Sequence, residues 1–470
     1  MALVFYDTET TGTDPFFDQI LQFAAIKTDE QFNELDRFEI RCRLLPHVVP
    51  HPMAMLVTGV TAEMLTDTSL PTHYEMMCAI KQKLEEWSPA IFIGYNSLRF
   101  DEAMLRSAFY QNLLPIYLTN TNGNGRTDAL QLMQASTIFS PGTLTIPLNE
   151  KGRPVFKLDQ LAPANGFSHE NAHDALADVE ATIYMTKKVA KTAPDLWKRL
   201  RNSAEKRIVS EFIENTDVFL LTEFFYNKGY SRLVTPIGQH PANSNTIFAV
   251  TLDDNFEALV AAQGSALEDL LASTPRPVRR VKTNASPIIT SLEALENYKE
   301  LGFSNLSKDR ERASFLKVNQ LIKQRIINAM IAIEGEYEVD EEAEVEERIY
   351  EGFYSSADER RILAFHRPEW IKRAEIADTF EDDRLKELAK RLVYFHASDT
   401  LAKADMDAFK KCIADRYATE EIEPSWLTPE AARKSLAEII TSTSDMKQLN
   451  LLEGLEKIYD QKETEFRQFT

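Results

Sequence analysis

The sequence predicts an α/β domain first, then a β-rich segment, then an all-helical one. Three observations carry that reading. Strand-like apolar runs alternate with helical patterns over residues 1–190. Short β-like runs bounded by turns replace that alternation over residues 195–340. Over residues 342–465 the apolar positions recur at helical spacing.

The first strand, Leu3-Val4-Phe5-Tyr6, runs into Asp7-Thr8-Glu9. Residues i and i+2 of a strand share a face, so Asp7 and Glu9 project together from its end. Like charges held that close repel, and loss of water makes the repulsion worse. A solvated polar turn is one resolution. A divalent cation is the other, and oxygen-only ligands suit Mg²⁺ or Mn²⁺. Residues 20–26 form a hairpin partner for this strand. Residues 56–61 read as a turn into a helix, with Thr61 as N-cap and Met64 and Leu65 on the buried side. A helix over 74–87 leads to a strand over 90–95, then to Asn96-Ser97-Leu98-Arg99-Phe100-Asp101 and a helix through Tyr110. Asp101 is thus a second carboxylate site at the mouth of a buried strand. It can cap its helix or serve as a third oxygen ligand. The third constellation is Asn171-Ala172-His173-Asp174-Ala175-Leu176-Ala177-Asp178. Asp174 is the N-cap of the helix that follows, His173 lies just outside it, and Asp178 sits on its second turn. From there His173 and Asp178 can converge on one point, although a histidine at a helix entry can also be purely structural.

In the β-rich segment the strand-like runs are 218–221, 232–235, 246–252 and 287–289. Arg276-Pro277-Val278-Arg279-Arg280-Val281-Lys282 places four basic residues in seven. On a strand, Arg280 and Lys282 share a face and Arg279 takes the other. This is a local positive patch or a charge-protected edge. Residues 334–347 hold nine acidic side chains in fourteen and are expected to be a solvated segment joining domains. Helices follow from 360, over 383–396, 401–417 and 429–441, and over 447–459.

Bulk properties narrow the function classes. A chain of 470 residues that is 44% hydrophobic supports several sizeable cores. Its three cysteines, Cys42, Cys78 and Cys412, show no CxxC spacing, which fits thiols in a reducing cytoplasm. No apolar run approaches the roughly 18 residues that span a bilayer, so no membrane association is expected. No basic segment precedes the first strand, so no signal peptide is expected either. The net charge of −20 argues against broad binding of polyanions but leaves a local basic groove open.

Asp7-x-Glu9, Asn96 with Phe100-Asp101, and His173 with Asp178, in that order, resemble the DEDDh class of 3′→5′ exonucleases. The resemblance extends to 23–26, 58–61, Gly94-Tyr95-Asn96, Ala164-Asn165-Gly166, His240-Pro241-x-Asn243 and 350–358, which are similar to the bacterial exonuclease I family. It is close through residue 190 and patchier beyond. It implies a ribonuclease H-like exonuclease domain over 1–190. An SH3-like β domain with helical insertions would follow over 195–340, and a C-terminal all-α domain over 342–465 would close them into a cleft for one strand. It further implies that Asp7, Glu9, Asp101 and Asp178 hold two Mg²⁺ ions, with Mn²⁺ an alternative, and that His173 is the general base. Such a site hydrolyses single-stranded DNA from its 3′ end to 5′-mononucleotides.

The resemblance also implies nucleotide contacts from Glu9 and Lys157, and DNA contacts from Arg279 and Asn284, with Lys206 and Asn245 beside them. Arg106, about one turn beyond Asp101, is placed to reach a phosphate, and Tyr117 offers a stacking surface. Gln134 stands where the family has a basic residue. The acidic run at 334–347 should lie away from the DNA. The remaining implications are a monomer in the cytoplasm, work in DNA repair and recombination, and docking of the C-terminal tail of single-stranded-DNA-binding protein. Two other readings stay open. One is an RNA-trimming or proofreading exonuclease of the same class, against which the length beyond residue 190 speaks. The other is a catalytically silent DNA-binding scaffold, against which the intact set of four carboxylates and His173 speaks.

Overall fold

The computed structural model describes residues 1–168, 173–303, 306–335, 340, 343–418 and 424–466. Strands β1 (Ala2–Thr10), β2 (Ile20–Thr28), β3 (Glu34–Arg41), β4 (Ala90–Gly94) and β5 (Gly125–Asp128) form one sheet in the order β3-β2-β1-β4-β5. The β1–β2 and β2–β3 pairs are antiparallel, whereas β4 runs parallel to both β1 and β5. Parallel pairing needs a crossover, and the helices His73–Trp87 and Asp101–Gln111 supply it. Both faces of the sheet are covered, so β1 and β4 are almost continuously buried rather than alternating.

Residues 56–61 depart from the expected simple turn. His51 caps a short helix, Pro52–Thr58, which Gly59 ends with a φ of 66°. Thr61 then caps Ala62–Thr66 as expected, its Oγ1 accepting from the Met64 N–H. Leu65 is buried and Met64 only partly so.

The β-rich segment is a second five-stranded sheet, antiparallel throughout. It comprises β6 (Phe219–Phe225), β7 (Lys228–Gln239), β8 (Thr246–Thr251), β9 (Val278–Lys282) and β10 (Ile288–Ser291), in the order β10-β6-β7-β8-β9. Helices Phe256–Ala261 and Gly264–Ala272 are inserted between β8 and β9. One face of this sheet shares a continuous core with the first domain, joining Leu220, Phe248 and Val278 to Leu132, Val179 and Leu200. Its other face packs on the Lys206–Glu214 helix through Val209, Ile213, Phe219 and Val281.

The C-terminal helices Asp383–Ala397, Lys403–Ala418, Pro429–Ser442 and Met446–Phe466 grip the first domain in two places. Phe365, Leu388 and Val393 pack on Tyr74, Tyr110 and Leu113. Leu436, Leu452 and Tyr459 pack on Leu21, Val49 and Met55. Tyr459 and Tyr417 donate their hydroxyl protons to the Pro50 and Pro46 carbonyls at 2.6 and 2.8 Å, which fixes the register of that seam.

The acidic run at 334–347 corrects a sequence expectation, since its described residues are not a plain solvated connector. Residues 336–339 and 341–342 lie outside the described set. Glu334 pairs with Arg280 at 2.6 Å and with His240 at 2.8 Å, which brings the run against the basic stretch of β9. Glu346 is 2% exposed and pairs with Arg391 at 2.7 Å and Arg416 at 3.0 Å. Burial alone would push its carboxyl up, but Arg391 and then Arg416 overcome that and hold it at about 2. A carboxyl held below its unfolded value of 4.5 contributes stability that is fully present above that pH. The contribution is lost as the pH falls towards 2. Glu346→Ala leaves two buried guanidiniums short of a partner. It is expected to lower the unfolding free energy by about 3–5 kcal/mol at pH 7, read from urea denaturation.

Candidate active site

Parity along β1 decides which side chains meet. Leu3 and Phe5 face the core beneath the Ala175–Thr192 helix, while Val4 and Tyr6 face the core beneath His73–Trp87 and Asp101–Gln111. Asp7 and Glu9 continue the first set and Thr8 the second. Asp7 and Glu9 therefore meet Asp178, which lies in the first turn of Ala175–Thr192 rather than on the expected second. One oxygen of each of the three carboxylates lies within 4.8 Å of the others. Thr8 instead meets Asp101. Its backbone N–H and its hydroxyl both donate to Asp101 Oδ1, at 3.1 and 2.7 Å. Asp101 is the first residue of its helix and 3% exposed, so its side chain reaches across to β1 rather than capping its own helix.

Burial is the largest influence on these groups. With the charges of Asp101, Glu9 and Asp178, it holds the Asp7 carboxyl well above the usual carboxylate range. Glu9 is pushed up by burial and then by Asp178 and Asp101, with Arg41 opposing. Asp101 is also raised by burial, against the pull of its Thr8 hydrogen bonds. Among the described residues no ion pair neutralises Asp7 or Glu9. A crowded, oxygen-only donor set of this kind fits a hard divalent cation, and the residues present match that requirement.

His173 lies outside the helix, as expected, in a turn with a φ of 69°. Its backbone N–H reaches Asp178 Oδ1 at 3.4 Å. The imidazole is not part of the three-carboxylate group. The turn that delivers Asp101 is stapled by Asp128, which sequence reasoning missed. Asp128 accepts from the N–H groups of Asn96, Leu98 and Leu130 at 2.8, 3.2 and 2.9 Å. Burial pushes its carboxyl up to about 6, against those three donors. Its position at the start of the Ala129–Phe139 helix was the available signal.

The structure unites some of the expected substrate residues. The Arg106 guanidinium lies 5.3 Å from the Tyr117 ring centroid, so the two form one surface. Arg106 also pairs with Glu102 at 3.6 Å. Buried Glu102 accepts from Tyr6 and Thr119 and pairs with Arg126, a network with no signal in the sequence. Arg126 reaches on to the Asn284 carbonyl at 3.2 Å, which docks that loop on the first domain. Lys157 is exposed at the start of Leu158–Ala164, and the Tyr95 hydroxyl donates to the neighbouring Phe156 carbonyl.

The remaining residues named from the sequence lie on or near the second sheet and the helices beside it. Arg279 pairs with Glu223 at 2.7 Å and stacks over Phe225. Lys206 is exposed at the first position of its helix. Asn245 is half-buried, its carbonyl accepting from the Thr283 N–H at 2.8 Å. Gln134 is buried on the Ala129–Phe139 helix.

The chain matches the sequence profile described as "Exonuclease" over residues 4–186 and that described as "Exonuclease I C-terminal domain" over 343–462. It is 30% identical to exodeoxyribonuclease I of Escherichia coli over 406 residues, spanning 82% of this chain and 84% of the relative. Identity to the Haemophilus influenzae exodeoxyribonuclease I is 29% over 472 residues, 95% of this chain and 96% of the relative. Among solved structures, E. coli exonuclease I in complex with a dA16 oligonucleotide superimposes with a TM-score of 0.84 at 25% identity, covering 98% of this chain and 99% of that one. Exonuclease I from Methylocaldum szegediense gives 0.85 at 25% identity and the same coverage. Two matched ends, full-length similarity and a shared architecture lead to one conclusion: the chain belongs to the exodeoxyribonuclease I family.

Proposed function

We propose that this protein is a 3′→5′ exodeoxyribonuclease that degrades single-stranded DNA to 5′-mononucleotides. The observation that carries the reading is the convergence of Asp7, Glu9 and Asp178 within 4.8 Å at the end of β1. Asp101 and His173 lie beside them. Asp7, Glu9, Asp101 and Asp178 are the residues that would hold a divalent metal, two Mg²⁺ ions in our reading with Mn²⁺ an alternative. When bound, the metal supplies acidification of a water and neutralisation of charge on the phosphoryl oxygens and the leaving oxygen.

The chain's own side chains do the rest. The His173 imidazole takes the proton of the attacking water. The water oxygen bonds to phosphorus, the bond from phosphorus to the 3′ oxygen breaks, and that oxygen takes a proton from solvent water while His173 returns its own to solvent. Thr8 keeps Asp101 from swinging out of reach through its paired donors. Lys157 and the Arg106–Tyr117 surface bind phosphate and base, and Glu9 also touches the terminal nucleotide. Lys206, Asn245, Arg279 and Asn284 extend the path along the second sheet. For Arg279, DNA phosphate replaces Glu223 as the partner.

The wider setting is proposed on the same footing. The chain divides at about 190 and 341, its middle part is SH3-like, and the whole works as a cytoplasmic monomer in DNA repair and recombination. No helix among the described residues is long and apolar enough to cross a membrane. A related structure is described as SSB/Exonuclease I in complex with an inhibitor. Docking of a single-stranded-DNA-binding protein tail is proposed here by analogy.

Two experiments test the site. Removing one of three crowded carboxylates relieves repulsion, so Asp7→Asn is expected to melt no lower than wild type in EDTA. It should lose most of the upward shift that Mg²⁺ or Mn²⁺ gives the wild type, as read by scanning calorimetry. Digestion of 5′-labelled single-stranded DNA, duplex DNA and RNA of one sequence, with Mg²⁺ or EDTA, tests the substrate. Metal-dependent shortening of the single-stranded DNA alone is expected, reduced at least about 1,000-fold by Asp7→Ala. Equal trimming of RNA identifies an RNA-processing enzyme instead, and binding without cleavage identifies a scaffold.

A further inference from the structure

Two residues of the site, His173 and Asp178, bracket Asp174, and Asp174 is where the sheet takes hold of this segment. Arg41, the last residue of β3, pairs with Asp174 Oδ2 at 2.7 Å. Gln22 on β2 adds its Nε2 to the same oxygen at 3.3 Å. The Gln22 Oε1 accepts the Ala175 N–H at 3.4 Å, and its Nε2 is also anchored to Glu39 at 2.9 Å. Asp174 uses its other oxygen to cap the helix, accepting from the Ala177 N–H at 3.3 Å.

Register explains why these residues meet. Glu9 pairs with Gln22 across β1 and β2, and Gln22 pairs with Arg41 across β2 and β3. The three form one rung of the sheet, with their side chains on one face. One end of the rung is a carboxylate of the site. The other end holds the turn that carries His173.

That turn needs holding. A φ of 69° is left-handed backbone, which a histidine adopts at a cost and keeps only where its surroundings impose it. The bond from the His173 N–H to Asp178 is long at 3.4 Å and restrains the turn weakly. The grip on the neighbouring residue is shorter and charge-assisted. We propose that Arg41, braced by Gln22, is a positioning residue for hydrolysis, anchoring Asp174 so that His173 and Asp178 keep their places beside Asp7 and Glu9. This rests on the nuclease reading above.

The Arg41–Asp174 pair is partly exposed, 26% and 38%, and such pairs contribute little to global stability. A positioning role and a structural role therefore separate experimentally. With Mg²⁺ and single-stranded DNA, Arg41→Ala is expected to lower kcat by about 10- to 100-fold. KM, DNA affinity in EDTA and the melting temperature should stay at wild-type values. Arg41→Lys, which restores a donor to Asp174, should recover most of the rate. The Arg41→Ala/Asp174→Ala double variant should be no slower than Asp174→Ala alone, because both remove one anchor. In metal-free protein labelled at histidine Cε1, the His173 resonance, assigned with His173→Gln, should move in Arg41→Ala and return in Arg41→Lys. An unchanged kcat in Arg41→Ala, losses that add in the double variant, or an unmoved His173 resonance overturns the proposal. A wild-type chain that does not shorten single-stranded DNA overturns the nuclease reading instead, and the resonance experiment still reports on the anchor.

Discussion

Three carboxylates crowded at the end of one buried strand are the constraint on which the rest of this structure depends. The cost of that crowding is visible in the raised carboxyls of Asp7 and Glu9, where burial adds to mutual repulsion. Much of the surrounding structure supplies their placement. Thr8 holds Asp101 from one side of β1, Asp128 staples the turn that delivers Asp101, and the Gln22–Arg41 rung grips the turn that carries His173.

The other parts of the chain reach this site by packing rather than by lending it carboxylates. The second sheet is continuous in its core with the helices over the first, so β6 to β10 are held fixed relative to the Ala175–Thr192 helix. Arg126 binds the Asn284 carbonyl from the nuclease side, and Thr127 and Ser286 share a hydrogen bond of 2.8 Å beside it. The C-terminal helices close on the first domain through two apolar seams, and the Glu346–Arg391–Arg416 cluster ties two of those helices to the segment before them. The DNA path proposed along these three parts would keep its dimensions only if the seams do not slide. Their close apolar packing and buried polar ties serve that end.

Much of the site was legible because it depends on local periodicity. The i, i+2 spacing of Asp7 and Glu9, the position of Asp101 after a buried strand, and His173 placed just outside a capped helix all follow from short-range rules. The family resemblance supplied the order that joined them. What could not be read was pairing over long sequence separations. Thr8 and Asp101 are 93 residues apart, Arg279 and Glu223 are 56 apart, and Glu346 lies 45 and 70 residues from its two arginines. For that reason a run of acidic residues looked like a solvated connector, although Glu346 is an interior anchor. For the same reason the sequence left a positive patch and a charge-protected edge both open for the four basic residues, and did not show that Arg279 and Arg280 have carboxylate partners.

The account stands on the carboxylates at the end of β1 being a metal centre. Crystals grown with Mn²⁺ and a 5′-mononucleotide, measured for anomalous scattering at the manganese edge, test that directly. Two anomalous peaks among Asp7, Glu9, Asp101 and Asp178, with His173 beside the nucleotide phosphate, are the predicted result. A map without a peak at those four residues, or with manganese bound only elsewhere, would contradict it.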